Sequence, residues 1–75
     1  MFIDIKTIFT KEEIKRAKAL YRKSQKEGFG FAKRCREEIV QPVMARIDAA
    51  LGQENDPMYM AYVLEYEMMA NRRAA

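Results

Sequence analysis

Five basic side chains recur at spacings that place them on one face of a predicted helix. They are Lys11, Lys15, Lys18, Arg22 and Lys26, separated by steps of four, three, four and four residues. At about 100° per residue the five fall within roughly 80° of one another, in a row about 22 Å long. No Asp or Glu interrupts this row. We call it the basic ridge, and the chemistry that it predicts is anion binding.

The sequence leaves the anionic partner of the basic ridge open. Rows of lysine and arginine neutralise phosphates and release their counterions, so nucleic acid is one candidate. An acidic protein surface is an equal one. Arg16 and Lys23 widen the patch, and Lys33 and Arg34 extend the candidate site to the start of the next helix. The alternative is a solvated helix face that only aids solubility.

The charge of the chain is divided between its two halves. Residues 1–36 hold 11 Lys and Arg against 4 Asp and Glu, a net +7, whereas residues 37–75 hold 3 against 7, a net −4. This asymmetry predicts an acidic partner for the N-terminal half, or pairing between the basic and acidic faces of neighbouring copies.

Residue types that commonly carry catalysis or bind metals are scarce. The chain has no histidine and one cysteine, Cys35. Cys35 shares an apolar row with Phe31 and Ile39, which predicts a small buried hydrophobic side chain. If it were exposed, Arg34 and Arg36 could lower its pKa. Glutamate pairs without histidine do not match the di-metal motif of helix bundles. We expect a non-enzyme with no metal, no cofactor and no small-molecule substrate.

The last predicted helix is unusually apolar, with 11 apolar or aromatic residues among the 13 at positions 58–70. A surface helix in a small domain needs only one apolar face. We therefore expect one face to pack within the chain and another to contact a second copy in a homodimer. A groove for a different protein is the alternative. The candidate interface residues are Met58, Tyr59, Met60, Tyr62, Val63, Leu64, Tyr66, Met68 and Met69.

Local signals mark where the helix that carries the basic ridge begins and ends. Thr10 is a good N-cap, and Glu13 three residues later completes a capping box. Phe9 and Ile14 have the spacing of a hydrophobic staple. Gly28 suits the position just after the helix. These signals predict a helix over residues 11–27.

Two further helices follow. Apolar residues at steps of four and three predict a helix over residues 31–51 that ends at Gly52. Pro42 lies inside it and removes one backbone donor, so we expect a kinked helix. Asp56 as N-cap and Pro57 at the first position predict a third helix over residues 57–72. Residues 1–75 are thus predicted to form one all-α, three-helix domain.

Three other segments give weaker signals. Weak alternation in residues 1–9 predicts an extended N-terminal arm, or a short strand that pairs with a second copy. A helix-turn-helix over residues 11–41 is disfavoured, because Lys23 and Ser24 stand where such motifs have small or apolar residues. Gly28-Phe29-Gly30 before Lys33 could cradle a phosphate, but a flexible turn is the simpler interpretation.

No stretch approaches the roughly 20 apolar residues that a membrane span requires, so we expect no membrane association. A single free thiol is typical of a reducing compartment, here taken as the cytoplasm. The predicted function is a small interaction or regulatory protein that presents the basic ridge to an anionic partner. The alternative is an adaptor or structural assembly protein that acts through the Met- and Tyr-rich third helix.

Overall fold

The structure, a computed structural model, describes the backbone of residues 4–74 and the side chains of residues 4–70. Three helices account for most of this backbone: α1 (Lys11–Glu27), α2 (residues 31–51) and α3 (Pro57–Ala74). No strand occurs among residues 4–74. The predicted all-α class is therefore confirmed, and the third helix continues two residues beyond the predicted end at residue 72.

The two ends of α1 follow from local hydrogen bonds. The Thr10 hydroxyl accepts from the Glu13 amide at 3.2 Å, and the Thr10 amide donates to Oε1 of Glu13 at 3.0 Å. This is the reciprocal capping box that the sequence predicts. At the other end Gly28 adopts a left-handed φ of 78°, and the amides of Gly28 and Phe29 both donate to the Ser24 carbonyl. The predicted C-terminal glycine is confirmed.

The helix α2 changes its winding along its length. It begins as an α-helix at Phe31–Cys35, widens to a π-helical turn at Arg36–Val40, tightens to a 3-10 turn at Gln41–Val43 and resumes as an α-helix at Met44–Leu51. Pro42 lacks the amide that would normally bond to the Glu38 carbonyl. That carbonyl instead accepts from Nη2 of Arg16 on α1, at 3.2 Å. A bend of the helix axis at Pro42 stays a prediction.

Asp48 and Asp56 organise the turn between α2 and α3. Oδ1 of Asp48 accepts from both the backbone amide and the side-chain amide of Asn55, at 3.0 and 3.1 Å. Oδ1 of Asp56 accepts from the Met58 amide at 2.9 Å, as expected of an N-cap residue. Gly52 ends α2 with a φ of 73°. The predicted start of α3 is confirmed.

The prediction of an extended N-terminal arm is wrong for the part of the arm that the structure describes. Residues Ile5–Thr7 form a 3-10 turn, because Asp4 caps it through the Lys6 amide at 3.0 Å and Thr7 Oγ1 donates back to the Asp4 carbonyl. This turn directs Ile5, Ile8 and Phe9 into the core. Residues 1–3, which include part of the predicted alternation, lie outside the described residues.

One core joins the N-terminal turn to all three helices. Phe31 contacts Tyr21 edge-to-face, with ring centroids 5.6 Å apart, which packs the start of α2 on α1. The buried hydrophobic side chains are Ile5, Ile8, Phe9, Ala17, Phe31, Ala32, Cys35, Ile39, Val40, Ile47, Met60, Ala61, Leu64 and Met68. The core fixes which face of α1 and which face of α3 remain at the surface.

Candidate functional site

The five side chains of the basic ridge are all exposed. The core face of α1 is formed by Ala17, which is fully buried, and by Ser24, which is 3% exposed. On a helical projection Ala17 and Ser24 lie roughly 140° and 160° from the centre of the ridge. Among the side chains of residues 4–70, the ion pairs are Arg46–Glu13 and Arg36–Glu37, and neither involves the ridge. The ridge ammonium and guanidinium groups therefore face solvent and pair with no carboxylate among the described side chains.

A groove of about 550 Å³ opens beside the N-terminal half of the basic ridge. It lies where the N-terminal turn meets the first turns of α1. Its described lining is Lys6, Phe9, Thr10, Lys11, Ile14, Lys15 and Lys18. We call it the lysine groove. Four of these seven residues are lysines and none is acidic, so the groove combines positive charge with the partly buried side chain of Ile14.

Lys6 is the contribution to this site that sequence reasoning missed. It is five residues before the basic ridge and outside α1, so no helical periodicity connects it to Lys11. The 3-10 turn at Ile5–Thr7 brings it to the same groove as three ridge lysines. The sequence could have indicated that Lys6 lies beside the ridge only if residues 5–7 had been predicted to form a turn.

Lys33 and Arg34 line a different cavity, of about 310 Å³, together with Phe29, Gly30 and Glu37. The Arg34 guanidinium carbon lies 4.3 Å from the centroid of the Phe29 ring, a cation–π contact. The carboxylate of Glu37 in this lining weakens the attraction for an anion. The two residues are thus not in the lysine groove.

Arg16, which the sequence predicts to widen the basic patch, has a structural partner. Its guanidinium donates to the Glu38 carbonyl across the α1–α2 contact. Side chains that hold a backbone carbonyl are less free to bind an external anion. Lys23, also exposed on α1, lies on the other side of the helix from the lysine groove.

The candidate interface residues of α3 separate into two faces. Met60, Leu64 and Met68 are buried in the core of the chain itself. Four large side chains on the opposite face are exposed, namely Tyr59, Tyr62, Tyr66 and Met69. Their steps of three, four and three residues make one row about 15 Å long, which we call the tyrosine stripe. Met58 and Val63 are half-buried and lie between the buried face and the tyrosine stripe.

Cys35 is fully buried, as its apolar row predicts. Burial raises the pKa of the thiol to about 12, and the nearby carboxylates of Glu65 and Glu38 act in the same direction. A thiol in this environment is a poor nucleophile at neutral pH. Within residues 4–70, no group of three or more Cys, Asp or Glu side chains is arranged to hold a metal ion.

Comparison of the chain with protein-family models, with curated proteins and with solved structures finds no match. None of the helices in the described part of the chain is both long enough and apolar enough to cross a membrane. The site must therefore be interpreted from its own geometry and charge.

Proposed function

We propose that this protein is a non-catalytic interaction or regulatory protein that binds an anionic partner through the basic ridge. The partner is a nucleic acid or the acidic surface of another protein. The cytoplasm is the compartment that we propose for it, in keeping with the free, buried thiol of Cys35.

One observation carries this proposal. Every member of the basic ridge is exposed, and none forms an ion pair with a carboxylate among the described side chains. Like charges at these helical spacings cost roughly 0.2–0.5 kcal/mol per pair. An anion bound along the ridge would relieve that repulsion. Lys6 adds a further positive charge next to the ridge, so the charged surface is wider than one helix.

Charge reversal on the ridge tests the proposal. Changing Lys15, Lys18 and Arg22 to Glu leaves the buried face of α1 unaltered and keeps good helix formers, so the far-UV circular dichroism spectrum should not change. Binding to a duplex, to single-stranded DNA or RNA, and to polyglutamate is then measured at low salt. If a nucleic acid is the partner, log affinity should fall with log salt at about 0.9 per duplex phosphate neutralised.

A matched pair of variants distinguishes binding at the basic ridge from non-specific attraction to the positive charge of the protein. Lys18→Glu and Lys23→Glu change the net charge equally, and both residues are exposed on α1. We expect Lys18→Glu to weaken binding to the partner much more than Lys23→Glu. Equal effects would indicate non-specific attraction, and no binding of wild-type protein to any of these polyanions at low salt would refute the proposal.

A second candidate function rests on the tyrosine stripe. Tyrosine and methionine are enriched at protein interfaces, and four such side chains in a row face solvent on α3. We propose that this surface contacts a second copy in a homodimer. Contact with a different protein, as in an adaptor, is the alternative. Tyr66→Glu, which alters this surface and leaves the core unchanged, tests the contact.

A further inference from the structure

We propose that the lysine groove receives a hydrophobic side chain from an acidic protein segment, whose carboxylates pair with the lysines around it. This inference rests on the proposed function, because the groove lies against the basic ridge. It goes further by choosing between the two classes of anionic partner. It also names a binding feature of that partner, an apolar residue flanked by acidic ones.

The composition of the groove lining supports a ligand that is both apolar and anionic. A solvated row of lysines requires no cavity, yet here a space of about 550 Å³ lies between the N-terminal turn and α1. That volume is within the range of known ligand pockets. Ile14 offers an aliphatic side chain in it, and the methylene stems of the lysines add apolar surface while their ammonium groups stay in water.

The same lining is poorly suited to a nucleic acid base. Proteins that bind single strands stack bases on exposed aromatic rings, and the aromatic residue of the groove, Phe9, is only 3% exposed. Of the described lining residues, Thr10 alone has a neutral polar side chain, and its oxygen already accepts from the Glu13 amide. An aliphatic or aromatic peptide side chain needs neither a stacking surface nor a hydrogen-bonding edge.

Charge complementarity indicates which residues flank the hydrophobic side chain in the bound segment. Lys6, Lys11, Lys15 and Lys18 all line the groove, and no described lining residue is acidic. Lysine ammonium groups act as point charges that can donate hydrogen bonds to carboxylates from several directions. A segment with glutamate or aspartate on both sides of an apolar residue therefore matches the groove in charge as well as in polarity.

The test compares two labelled, terminally blocked peptides of equal charge. In the first, glutamates flank two central leucines, and in the second both leucines are replaced by serine. Fluorescence anisotropy at low salt with wild-type protein should give a dissociation constant about tenfold lower for the leucine peptide, since that is the gain expected from largely burying one leucine. A single-stranded oligonucleotide serves as the third probe.

Three variants locate the binding site. Ile14→Thr should reduce the preference for the leucine peptide. Lys6→Ala, in the groove but not on the ridge, should weaken the leucine peptide more than the serine peptide. Lys26→Ala, on the ridge but outside the groove, should weaken both peptides equally. If Ile14→Thr does not fold, intermolecular NOEs between leucine methyl groups and the Ile14 side chain of the wild-type protein supply the same information.

The outcomes distinguish this inference from the proposed function. Equal, salt-sensitive binding of the leucine and serine peptides would overturn the groove proposal and leave the basic ridge as the binding surface. Tighter binding of the oligonucleotide than of the leucine peptide, with dependence on Lys6, would assign the groove to nucleic acid and also overturn it. Absence of binding by all three probes, together with absence of binding to duplex DNA and to polyglutamate, would refute the proposed function itself.

Discussion

Arg46 and Glu13, which are 33 residues apart in the chain, form a two-point ion pair. Nη1 of Arg46 donates to Oε2 of Glu13 at 2.9 Å, and Nη2 contacts Oε1. The same Nη2 also donates to the Ile8 carbonyl at 3.1 Å, and Oε1 of Glu13 accepts from the Thr10 amide. One carboxylate thus connects the second half of α2 with the start of α1 and, through Arg46, with the N-terminal turn.

This ion pair predicts a loss of stability in acid. The hydrogen bond from Arg46 lowers the pKa of Glu13 from its ordinary value of 4.5, and this outweighs the effect of partial burial. Because the folded pKa is the lower one, the stabilisation is complete above the unfolded pKa. It disappears as the pH falls through the folded pKa. Thermal unfolding of wild-type protein should therefore show a falling Tm below about pH 5.

Glu13→Gln distinguishes the effect of the Glu13 charge on stability from the effect of the capping box. Glutamine can still complete a capping box, but it cannot titrate. Its Tm should be lower than that of wild type at pH 7, and the difference should shrink on acidification. Arg46→Met, which keeps a long side chain, should give the same pattern. A constant difference between wild type and Glu13→Gln from pH 7 to pH 3 would show that the pair contributes nothing to the pH dependence.

Loss of the Thr10 cap should destabilise the domain. Thr10→Ala removes the acceptor of the Glu13 amide and should cost about 0.5–2 kcal/mol. In a domain of this size, 1 kcal/mol corresponds to roughly 4–8 °C in Tm. Thr10→Ser is the matched control, because serine caps a helix at least as well as threonine. Equal Tm values for Thr10→Ala and Thr10→Ser would exclude a stabilising role for this cap.

The sequence predicts the parts of this fold that depend on close neighbours. The caps at Thr10 and Asp56 and the glycines at positions 28 and 52 each act on residues a few positions away, so their signals are legible in the chain. The exposure of the basic ridge also follows from helical periodicity. In contrast, the Arg46–Glu13 pair and the contact between Arg16 and the Glu38 carbonyl span 33 and 22 residues. They arise only when helices pack.

The lysine groove was missed for a related reason. Ile5, Ile8 and Phe9 have the spacing of a helical turn, but the alternation of residues 3–6 predicts an extended segment instead. Hydrogen bonds from Lys6 and Thr7 to Asp4 favour the turn, and burial of its three apolar side chains supports it. Local capping and burial in the core thus outweigh the weak alternation of apolar and polar residues. Because the segment forms a turn and not an extended strand, Lys6 lies beside the ridge lysines.

Arg16 and Pro42 should be energetically coupled. Arg16→Ala leaves the Glu38 carbonyl without the donor that replaces the missing amide of residue 42, at a cost of about 0.5–1.5 kcal/mol. Pro42→Ala supplies a backbone amide at that position, which can satisfy the same carbonyl. In the Pro42→Ala background, Arg16→Ala should therefore be nearly neutral. A double-mutant cycle measured by urea unfolding gives the coupling free energy.

If the effects of Arg16→Ala and Pro42→Ala on the free energy of unfolding were strictly additive, the missing amide of Pro42 would not be the reason that Arg16 bonds to the Glu38 carbonyl. Lys23→Ala provides the control, since Lys23 is exposed on the same helix and its side chain forms no hydrogen bond with the described residues. Its effect on the free energy of unfolding should be small and identical in both backgrounds. This comparison also shows whether α1 tolerates loss of a positive charge.

The thiol of Cys35 should react with an aromatic disulfide reagent only when the protein opens. It is fully buried, and its raised pKa leaves almost no thiolate at neutral pH. Labelling in native buffer should therefore be many times slower than in denaturant, and destabilising variants such as Thr10→Ala should accelerate it. Immediate labelling of the folded protein would contradict the burial of Cys35.

Substitutions on the two faces of α3 should have opposite consequences. Leu64 is fully buried, so Leu64→Glu places an unpaired charge in the core and should yield unfolded or aggregated protein. Tyr66 is 72% exposed on the tyrosine stripe, so Tyr66→Glu should keep the wild-type circular dichroism spectrum. If the stripe forms a homodimer, wild type should sediment as a dimer at micromolar concentration and Tyr66→Glu as a monomer. If the wild-type protein were a folded monomer throughout that range, the homodimer would be excluded. Contact of the tyrosine stripe with a different protein would then be the remaining proposal.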